Sequence, residues 1–347
     1  MDSEKLKSKL AVYPRIPLAK YPTPLEPLPN LSREVKRKFY VKRDDVMGPG
    51  LGGNKTRKLE FLLADAQKQG KRKVVTYGGL QSNHARITAA AACRVGLKPH
   101  LFYFEKRPLR LVGNLLVNQI LGARMHFIPI GGGGNGMTLE ATTKLVKLVS
   151  WLVVGPHYHI PVGGHSCVGC MGYVEAAAEI DAQAREMGIE NAWLTVAAGS
   201  GGTLAGLMAG LRLIDSPLQL MGIDVGKMWK GFPASIASMA SELCTILGET
   251  SEFTPEQVPL VEGTYVGEAY GLPSTAGMEA IKKLASLEGI LLDPVYTAKA
   301  FAGTLDLMEK GRLGEDAPII FLHTGGLPAL HAFDQTLFAF QSHVPHD

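Results

Sequence analysis

Lys55 lies where a glycine turn leads into an amphipathic helix, within residues 51–60 (LGGNKTRKLE). On a helix of about 3.6 residues per turn, Lys55 falls in the apolar stripe, Arg57 and Lys68 point away from it, and Lys58 sits at its edge. An ammonium on an apolar face must be paired, deprotonated or used covalently, and a desolvated lysine is a nucleophile that condenses with aldehydes. A first-turn lysine whose stem reaches to water explains the same segment. Both interpretations remain open on this segment alone.

A second loop has the composition of a phosphate site. The strand-like residues 194–198 run into residues 199–203 (GSGGT), after which a helical pattern begins. Consecutive backbone N–H groups at a helix N-terminus form a cradle for a phosphate, and the hydroxyls of Ser200 and Thr203 add donors. The loop lacks the Gly-Lys-Ser/Thr ending of a nucleotide P-loop, which disfavours ATP. A tight turn is the alternative, but the run of small residues favours a phosphate.

A third loop, residues 78–84, carries polar side chains between the predicted strand Val74–Tyr77 and a helix that opens near Ala85. Ser82 and Asn83 could simply cap that helix. Four polar side chains in succession (Gln81 to His84) exceed what a cap needs, and a helix N-terminus favours an anion. The loop could therefore bind a carboxylate and a ring hydroxyl.

Two further patterns give weaker signals. Gly131, Gly133 and Gly136 match the dinucleotide-binding spacing, but residues 151–159 contain no Asp or Glu to hold a ribose, so a nicotinamide dehydrogenase is disfavoured. Cys167 and Cys170 have the spacing of a zinc half-site near several histidines, but the chain has no second CxxC pair. We predict a surface turn at the first and no metal site at the second.

The composition is that of an ordinary globular protein, with 347 residues, 46% hydrophobic and 20% charged, and a net charge of +4. The Lys/Arg residues form no block dense enough for nucleic-acid binding, and the longest apolar run, residues 148–155, is too short to span a bilayer. The cysteines indicate no disulfide framework, and the N-terminus begins with charges and prolines instead of an apolar signal segment. We therefore expect a cytoplasmic enzyme or binding protein without a nucleic-acid or membrane partner.

Strand-like apolar runs alternate with helical patterns, which predicts βαβ units and a mostly parallel sheet. Ligands in such sheets bind beyond the carboxyl ends of the strands, where glycine pairs occur in this chain. The polar, strand-poor residues 248–264 are predicted to be a surface excursion. The predicted strands are Val74–Tyr77, Leu101–Phe104, Met125–Ile130, Trp193–Ala197, Leu220–Val225 and Ile319–Leu322, and predicted helices include Ala85–Val95, Val112–Leu121 and Gly172–Met187.

Five motifs occur in a fixed order: GGNKTRKLE at 52–60, QSNH at 81–84, GSGGT at 199–203, DPVY at 293–296 and HTGG at 323–326. With them the chain resembles the 1-aminocyclopropane-1-carboxylate deaminase/D-cysteine desulfhydrase family of pyridoxal-phosphate enzymes. The resemblance implies the tryptophan-synthase-β-like fold (fold type II), with two open, twisted, mostly parallel sheets flanked by helices. It places the cofactor in the cleft between a large domain (1–50 plus 163–347) and a small domain (51–162), usually in a homodimer.

The same resemblance implies roles for individual residues. Lys55 would hold the cofactor as a Schiff base and later shuttle the substrate proton, Asn83 would bind the ring hydroxyl, and Thr297 would approach the pyridine nitrogen. The expected catalytic residues are Lys55, Ser82, Tyr270 and Tyr296. The expected cofactor-binding residues are Lys55, Asn54, Asn83, Gly199, Ser200, Gly201, Gly202, Thr203, Thr297 and Thr324. The expected substrate-binding residues are Ser82, Asn83, His84 and Tyr270.

Two threonines favour one branch of the family. The cyclopropane deaminases, as the family is known, carry a glutamate and a leucine where this chain has Thr297 and Thr324, as in the desulfhydrase branch. A neutral hydroxyl makes the cofactor a weaker electron sink, which suffices when the leaving group is a good one such as a thiolate. We therefore expect a D-cysteine desulfhydrase that releases pyruvate, sulfide and ammonia. The alternatives are a cyclopropane deaminase, a lyase for another β-substituted amino acid (the His165-Ser166-Cys167 loop departs from relatives), a dehydrogenase and a non-catalytic cofactor-binding protein.

Overall fold

The computed structural model describes residues 1–129 and 138–333. The Gly131–Gly136 loop, and with it the dinucleotide-binding alternative, lies outside the described residues. The strands are β1 (Leu25–Pro27), β2 (Phe39–Arg43), β3 (Lys73–Tyr77), β4 (Lys98–Tyr103), β5 (Arg124–Phe127), β6 (Tyr158–His159), β7 (Trp193–Ala198), β8 (Gln219–Asp224), β9 (Leu260–Val261) and β10 (Ile319–His323). The helices are α1 (Ser3–Leu10), α2 (Pro29–Glu34), α3 (Lys55–Lys68), α4 (Asn83–Arg94), α5 (Asn114–Ile120), α6 (Leu139–Val154), α7 (Cys167–Glu186), α8 (Gly202–Leu213), α9 (Phe232–Ile246), α10 (Thr275–Glu288), α11 (Thr297–Glu309) and α12 (Leu327–Leu330).

The strands form two sheets. The larger has the order β1-β2-β10-β7-β8-β9, with only β1 antiparallel to its neighbour, and the smaller has the order β5-β4-β3-β6 and is parallel throughout. Parallel strands need crossover helices, and these cover both faces of each sheet. The predicted fold, with two mostly parallel sheets flanked by helices, is confirmed.

The strand β10 shows how the core of the large sheet is built. Ile320 and Leu322 face a cluster formed with α7, α8 and α9, whereas Ile319 and Phe321 face a second cluster formed with α10 and α11. All four side chains are fully buried, as expected for a central strand whose side chains alternate between two covered faces. The carboxyl end of this strand leads directly into the HTGG motif, so core packing fixes the position of that motif.

Close packing between α7 and α8 positions the phosphate-type loop. A Cβ atom at Gly206 would lie 2.6 Å from the carbonyl oxygen of Cys170, so the two helix backbones can approach this closely only because the residue is glycine. The helix α7 begins at Cys167, earlier than the predicted Gly172, with the Ser166 side chain accepting a hydrogen bond from the Gly169 amide. The cap explains the earlier start.

The prediction that Arg57 points away from the buried face of its helix is wrong. Its guanidinium is 1% exposed and donates to both oxygens of Asp44 at 2.9 Å and to Glu179 at 2.8 and 2.9 Å. Lys58 is equally buried instead of lying at an edge. The helix α3 is enclosed by α4 and α7, and Lys42 joins the buried ion pair by donating to Glu179. Partners distant in sequence therefore make burial of this polar helix face possible.

Residues 248–264 are not wholly a surface excursion. Leu260–Val261 pair in parallel with β8 and form the edge of the large sheet, and Val258 and Val261 are buried. The two-residue strand is too short to show a period in the sequence. Among the described residues, no helix has the length and apolar character needed to cross a membrane.

Candidate active site

A cleft of about 640 Å³, measured with its open mouth, lies at the carboxyl ends of strands from both sheets. It brings together all but two of the predicted site residues. Those that line it are Asn54, Lys55, Ser82, Asn83, His84, Gly199, Ser200, Gly201, Thr203, Tyr270, Tyr296 and Thr324. Gly202 and Thr297 do not line it. The position agrees with the rule that ligands of open α/β sheets bind beyond the carboxyl ends of the strands.

Lys55 is the first residue of α3 and projects into this cleft. The preceding turn requires glycine, because Gly52 has a φ of +72° and a Cβ there would lie 2.0 Å from the carbonyl oxygen of Asp45. The Lys55 ammonium nitrogen lies 3.0 Å from Asn54 Oδ1. Burial, and then the charge of Lys58, lower the pKa of Lys55 well below its ordinary value. The lowered pKa favours the unprotonated amine, which is the nucleophilic form of lysine.

Lys58 is a functional residue that sequence reasoning missed. Its ammonium is buried and donates to the carbonyl oxygen of Gly163 at 3.0 Å. A Cβ at Gly202 would lie 2.8 Å from this nitrogen, so the charge stands directly behind the N-terminus of α8. In the described part of the chain no carboxylate lies within salt-bridge distance of it. The available signal was its spacing, one helical turn after Lys55.

Residues 199–203 form the turn between β7 and α8. Gly201 has a φ of +78°, and the N-terminus of α8 has no side-chain cap. The amides at such a terminus point at an anion. The Lys58 amino group lies behind them, and although burial lowers its pKa, a phosphate at this loop would favour its protonated form. Thr203 Oγ1 accepts from Asn54 Nδ2 at 3.1 Å, which ties this loop to the lysine loop. Uncapped amides, a buried cation and space for several atoms fit a phosphate monoester.

The QSNH motif lies opposite this loop. The Ser82 side chain caps α4, which begins at Asn83 and not near Ala85 as predicted. Asn83 Oδ1 accepts from Asn114 Nδ2 at 2.8 Å, which holds the amide in place at the cleft. The hydroxyl of Thr76 fixes the Nε2 side of His84 at 2.8 Å, while its Nδ1 is buried without a partner among the described residues. Burial, and then the charges of nearby lysines, lower the pKa of His84 well below its ordinary value, so the ring is neutral.

Two tyrosines form the wall opposite Lys55. The hydroxyls of Tyr270 and Tyr296 are hydrogen-bonded to each other, with ring centroids 6.0 Å apart. Burial raises the pKa of Tyr270 to about 12, despite the hydrogen bond with Tyr296, and raises the pKa of Tyr296 well above its ordinary value. Both phenols are therefore protonated near neutral pH. Tyr270 also lines an adjoining chamber of about 1480 Å³ that opens toward solvent.

The two threonines that distinguish the branches occupy different places. Thr324 lines the cleft, and its carbonyl oxygen accepts from the Asn54 amide at 3.1 Å. Thr297 is fully buried, and its hydroxyl donates to Asp293 Oδ2 at 2.9 Å. Contrary to the expectation, it therefore does not face the cleft. Asp293 was missed by sequence reasoning. Its carboxylate accepts the amides of Val295 and Tyr296 and thereby fixes the start of α11.

The histidines and cysteines noted in the sequence do not converge. His159 lies in β6 of the small sheet and His157 just before that strand, whereas Cys167 Sγ contacts Met239 Sδ at 3.6 Å and Cys170 lies behind Gly202. In the described residues, no group of three or more His, Cys, Asp or Glu side chains is placed to hold a metal ion. The variant loop that contains His165 does not line the cleft.

A buried lysine of lowered pKa beside an uncapped glycine cradle suits a phosphorylated aldehyde. Comparison with known proteins identifies the class: residues 16–325 match the model of the family described as "Pyridoxal-phosphate dependent enzyme", and the chain belongs to that family. The predicted cofactor, pyridoxal 5'-phosphate, is thereby confirmed.

The most informative relatives narrow the class further. The chain is 40% identical over 334 residues to D-cysteine desulfhydrases of Salmonella choleraesuis (strain SC-B67) and Salmonella newport (strain SL254), which covers 93% of this chain and 97% of each relative. A crystal structure of an ACC deaminase homologue superposes with a TM-score of 0.86 at 37% identity, covering 96% of this chain and 98% of that one. Escherichia coli diaminopropionate ammonia lyase shares the fold, with a TM-score of 0.65 at 17% identity over 98% of this chain and 92% of its own.

Proposed function

We propose that this protein is a D-cysteine desulfhydrase, which splits D-cysteine by β-elimination into pyruvate, sulfide and ammonia. The observation that carries the proposal is a Lys55 of lowered pKa in one cleft with two protonated phenols, in a chain 40% identical to D-cysteine desulfhydrases. When bound, pyridoxal phosphate withdraws electrons from the substrate Cα and so makes its proton removable.

The chain's own residues would share the remaining work. The amides of Gly199 to Thr203, with Lys58 behind them, would hold the phosphate, and Asn83 would hold the ring hydroxyl. Ser82, at the N-terminus of α4, would meet the substrate carboxylate, because a helix N-terminus favours negative charge. Lys55 would accept the Cα proton, since its lowered pKa favours the unprotonated amine.

The phenols suit the leaving group. Because Tyr270 and Tyr296 are protonated, either can donate a hydrogen bond to the sulfur that leaves from Cβ. The aminoacrylate that forms takes up water and releases ammonia and pyruvate, which balances the reaction. In this proposal Thr324 is the threonine that faces the cofactor, and Thr297 supports it indirectly through Asp293.

The His165-Ser166-Cys167 loop gives no support to a different substrate, because it lies outside the cleft lining. A cyclopropane deaminase and a lyase for another β-substituted amino acid are the alternatives that the substrate assay distinguishes. We also propose the division into residues 1–50 plus 163–347 and 51–162, a homodimer and a cytoplasmic location. Size-exclusion chromatography with light scattering tests the dimer.

The direct test uses Lys55→Ala, with Lys68→Ala at the exposed end of the same helix as the control. The first variant should lose the visible absorbance of bound cofactor and the borohydride-fixed label on residue 55, and the second should keep both. Wild-type protein should release sulfide and pyruvate from D-cysteine but not from L-cysteine. Release from L-cysteine only, or turnover of 1-aminocyclopropane-1-carboxylate instead, would reject the desulfhydrase assignment.

A further inference from the structure

The segment that carries Tyr270 has little regular structure of its own. Residues 262–274 join β9 to α10 without a helix or strand, and they are exposed or half-buried apart from the buried Val266. Such a segment keeps a defined position only through its contacts with packed elements. The contacts that it makes therefore decide where the Tyr270 hydroxyl lies.

One stripe of α11 supplies those contacts. Tyr296, Lys299, Gly303 and Asp306 follow one another at intervals of three or four residues and so share a helix face. The Asp306 carboxylate accepts the Tyr265 hydroxyl at 2.5 Å, and a Cβ at Gly303 would lie 2.8 Å from the Tyr265 ring. The segment thus lies along this face, with Tyr265 at one end and Tyr270 at the other.

Lys299 makes the contact nearest to Tyr270. Its side chain is fully buried, and its ammonium donates to the carbonyl oxygen of Ala269, the preceding residue, at 3.2 Å. In the described structure no carboxylate lies within salt-bridge distance of this nitrogen. Burial lowers the pKa of Lys299 to about 8, against the attraction of Asp293 and Asp224. A buried lysine bonded to one backbone carbonyl is costly, which points to a role beyond general stability.

We propose that Lys299 is a positioning residue that fixes the backbone at Ala269 and thereby holds Tyr270 against Tyr296 in the reacting cleft. The expected effect of Lys299 on activity rests on the proposed function. Its expected effect on the position of residues 262–274 does not. Displacing a reacting-side group by about 1 Å can cost about 100-fold in rate. Lys299 would therefore act on the reaction only through Tyr270.

The structural part is tested without activity. The exposed bond between Glu268 and Ala269 is a site for a glutamate-specific protease, and its cleavage is read by mass spectrometry. Lys299→Met should speed this cleavage at least 10-fold, whereas Lys68→Met, which removes an exposed lysine at the end of α3, should leave it unchanged. An unchanged cleavage rate in folded Lys299→Met overturns the proposal. If that variant does not fold, Lys299→Gln, which keeps a neutral donor, replaces it.

The functional part is tested by a double-mutant cycle on D-cysteine turnover. Lys299→Met should lower kcat by about 10- to 100-fold with little change in KM, and it should have almost no further effect in a Tyr270→Phe background. An equal loss in both backgrounds shows that Lys299 does not act through Tyr270 and overturns the proposal. A wild-type kcat in Tyr270→Phe alone would reject the role of Tyr270, and no turnover of D-cysteine would reject the proposed function. In either case the cleavage assay still tests whether Lys299 fixes the position of the segment.

Discussion

Glu179 offers a quantitative test of the ion pair under the lysine helix. Burial raises the pKa of this carboxyl, but the hydrogen bonds and charge of Arg57, and then of Lys42, outweigh burial and lower the pKa to about 2 from an ordinary 4.5. Its side chain is 12% exposed, so solvent screens the pair little. A difference of about 2.5 pKa units at 1.36 kcal/mol each corresponds to about 3 kcal/mol of folding free energy.

The sign of the pH dependence follows from the lowered pKa. A carboxyl whose pKa is depressed in the folded state stabilises the fold above the unfolded value, about 4.5, and this contribution is lost as the pH falls toward about 2. Glu179→Gln should therefore be less stable than wild type by about 3 kcal/mol at pH 7. In a chain of this length that lowers the thermal midpoint by about 4 °C. The difference in stability between wild type and Glu179→Gln should decrease steadily below pH 4.5, where the wild-type carboxyl takes up its proton.

Calorimetry of both proteins between pH 7 and pH 3 measures the difference between their thermal midpoints. Glu186→Gln, an exposed carboxyl on the same helix, is the control and should shift the midpoint by less than 1 °C, as surface substitutions usually do. A Glu179→Gln midpoint that stays parallel to wild type across the whole range would refute the assignment of the stabilisation to this charge.

Two further variants address the cleft. Gly163→Ala would place a Cβ 2.0 Å from Ser200 Oγ at a φ of +65°, so it should weaken cofactor binding in equilibrium dialysis. Gly70→Ala is the control: its φ is +66° but the space around it is open, so it should cost only about 1–2 kcal/mol of stability. At a separation of about 5 Å and an effective dielectric of about 20, a unit charge on Lys58 attracts a phosphate charge by about 3 kcal/mol. Lys58→Met removes this attraction, so cofactor affinity should fall about 100-fold. The same variant should raise the pKa of Lys55, because a like charge is removed, and shift the pH profile of cofactor uptake to higher pH.

The sequence predicted those parts of the site that depend on local order along the chain. Strands, glycine turns and helix starts follow one another in a pattern that places residues 81–84 and 199–203 at the carboxyl ends of parallel strands, and Lys55 at the start of a helix after a glycine turn. This geometry follows from parallel pairing alone, so no long-range contact had to be known. The family motifs then supplied the cofactor, which the family match confirms.

The sequence could not predict which polar side chains are buried. Arg57 lies on the polar side of its helix by periodicity, and only the distant Asp44 and Glu179 make its burial possible. The resemblance implied that Thr297 approaches the cofactor, but its hydroxyl donates to the buried Asp293 carboxylate. Both outcomes depend on contacts made in the folded chain, which the periodicity of the sequence does not show.

Charge in the cleft connects these observations. Burial, and then the charge of Lys58, lower the pKa of Lys55, while Asp293 is a buried anion that acts in the opposite direction. The lowered pKa favours the unprotonated, nucleophilic amine before any anion arrives. A phosphate dianion beside Lys58 offsets that charge and raises the pKa of the same amine. One arrangement of buried cations therefore favours attack on the aldehyde first, and favours uptake of the substrate proton once the anions are in place.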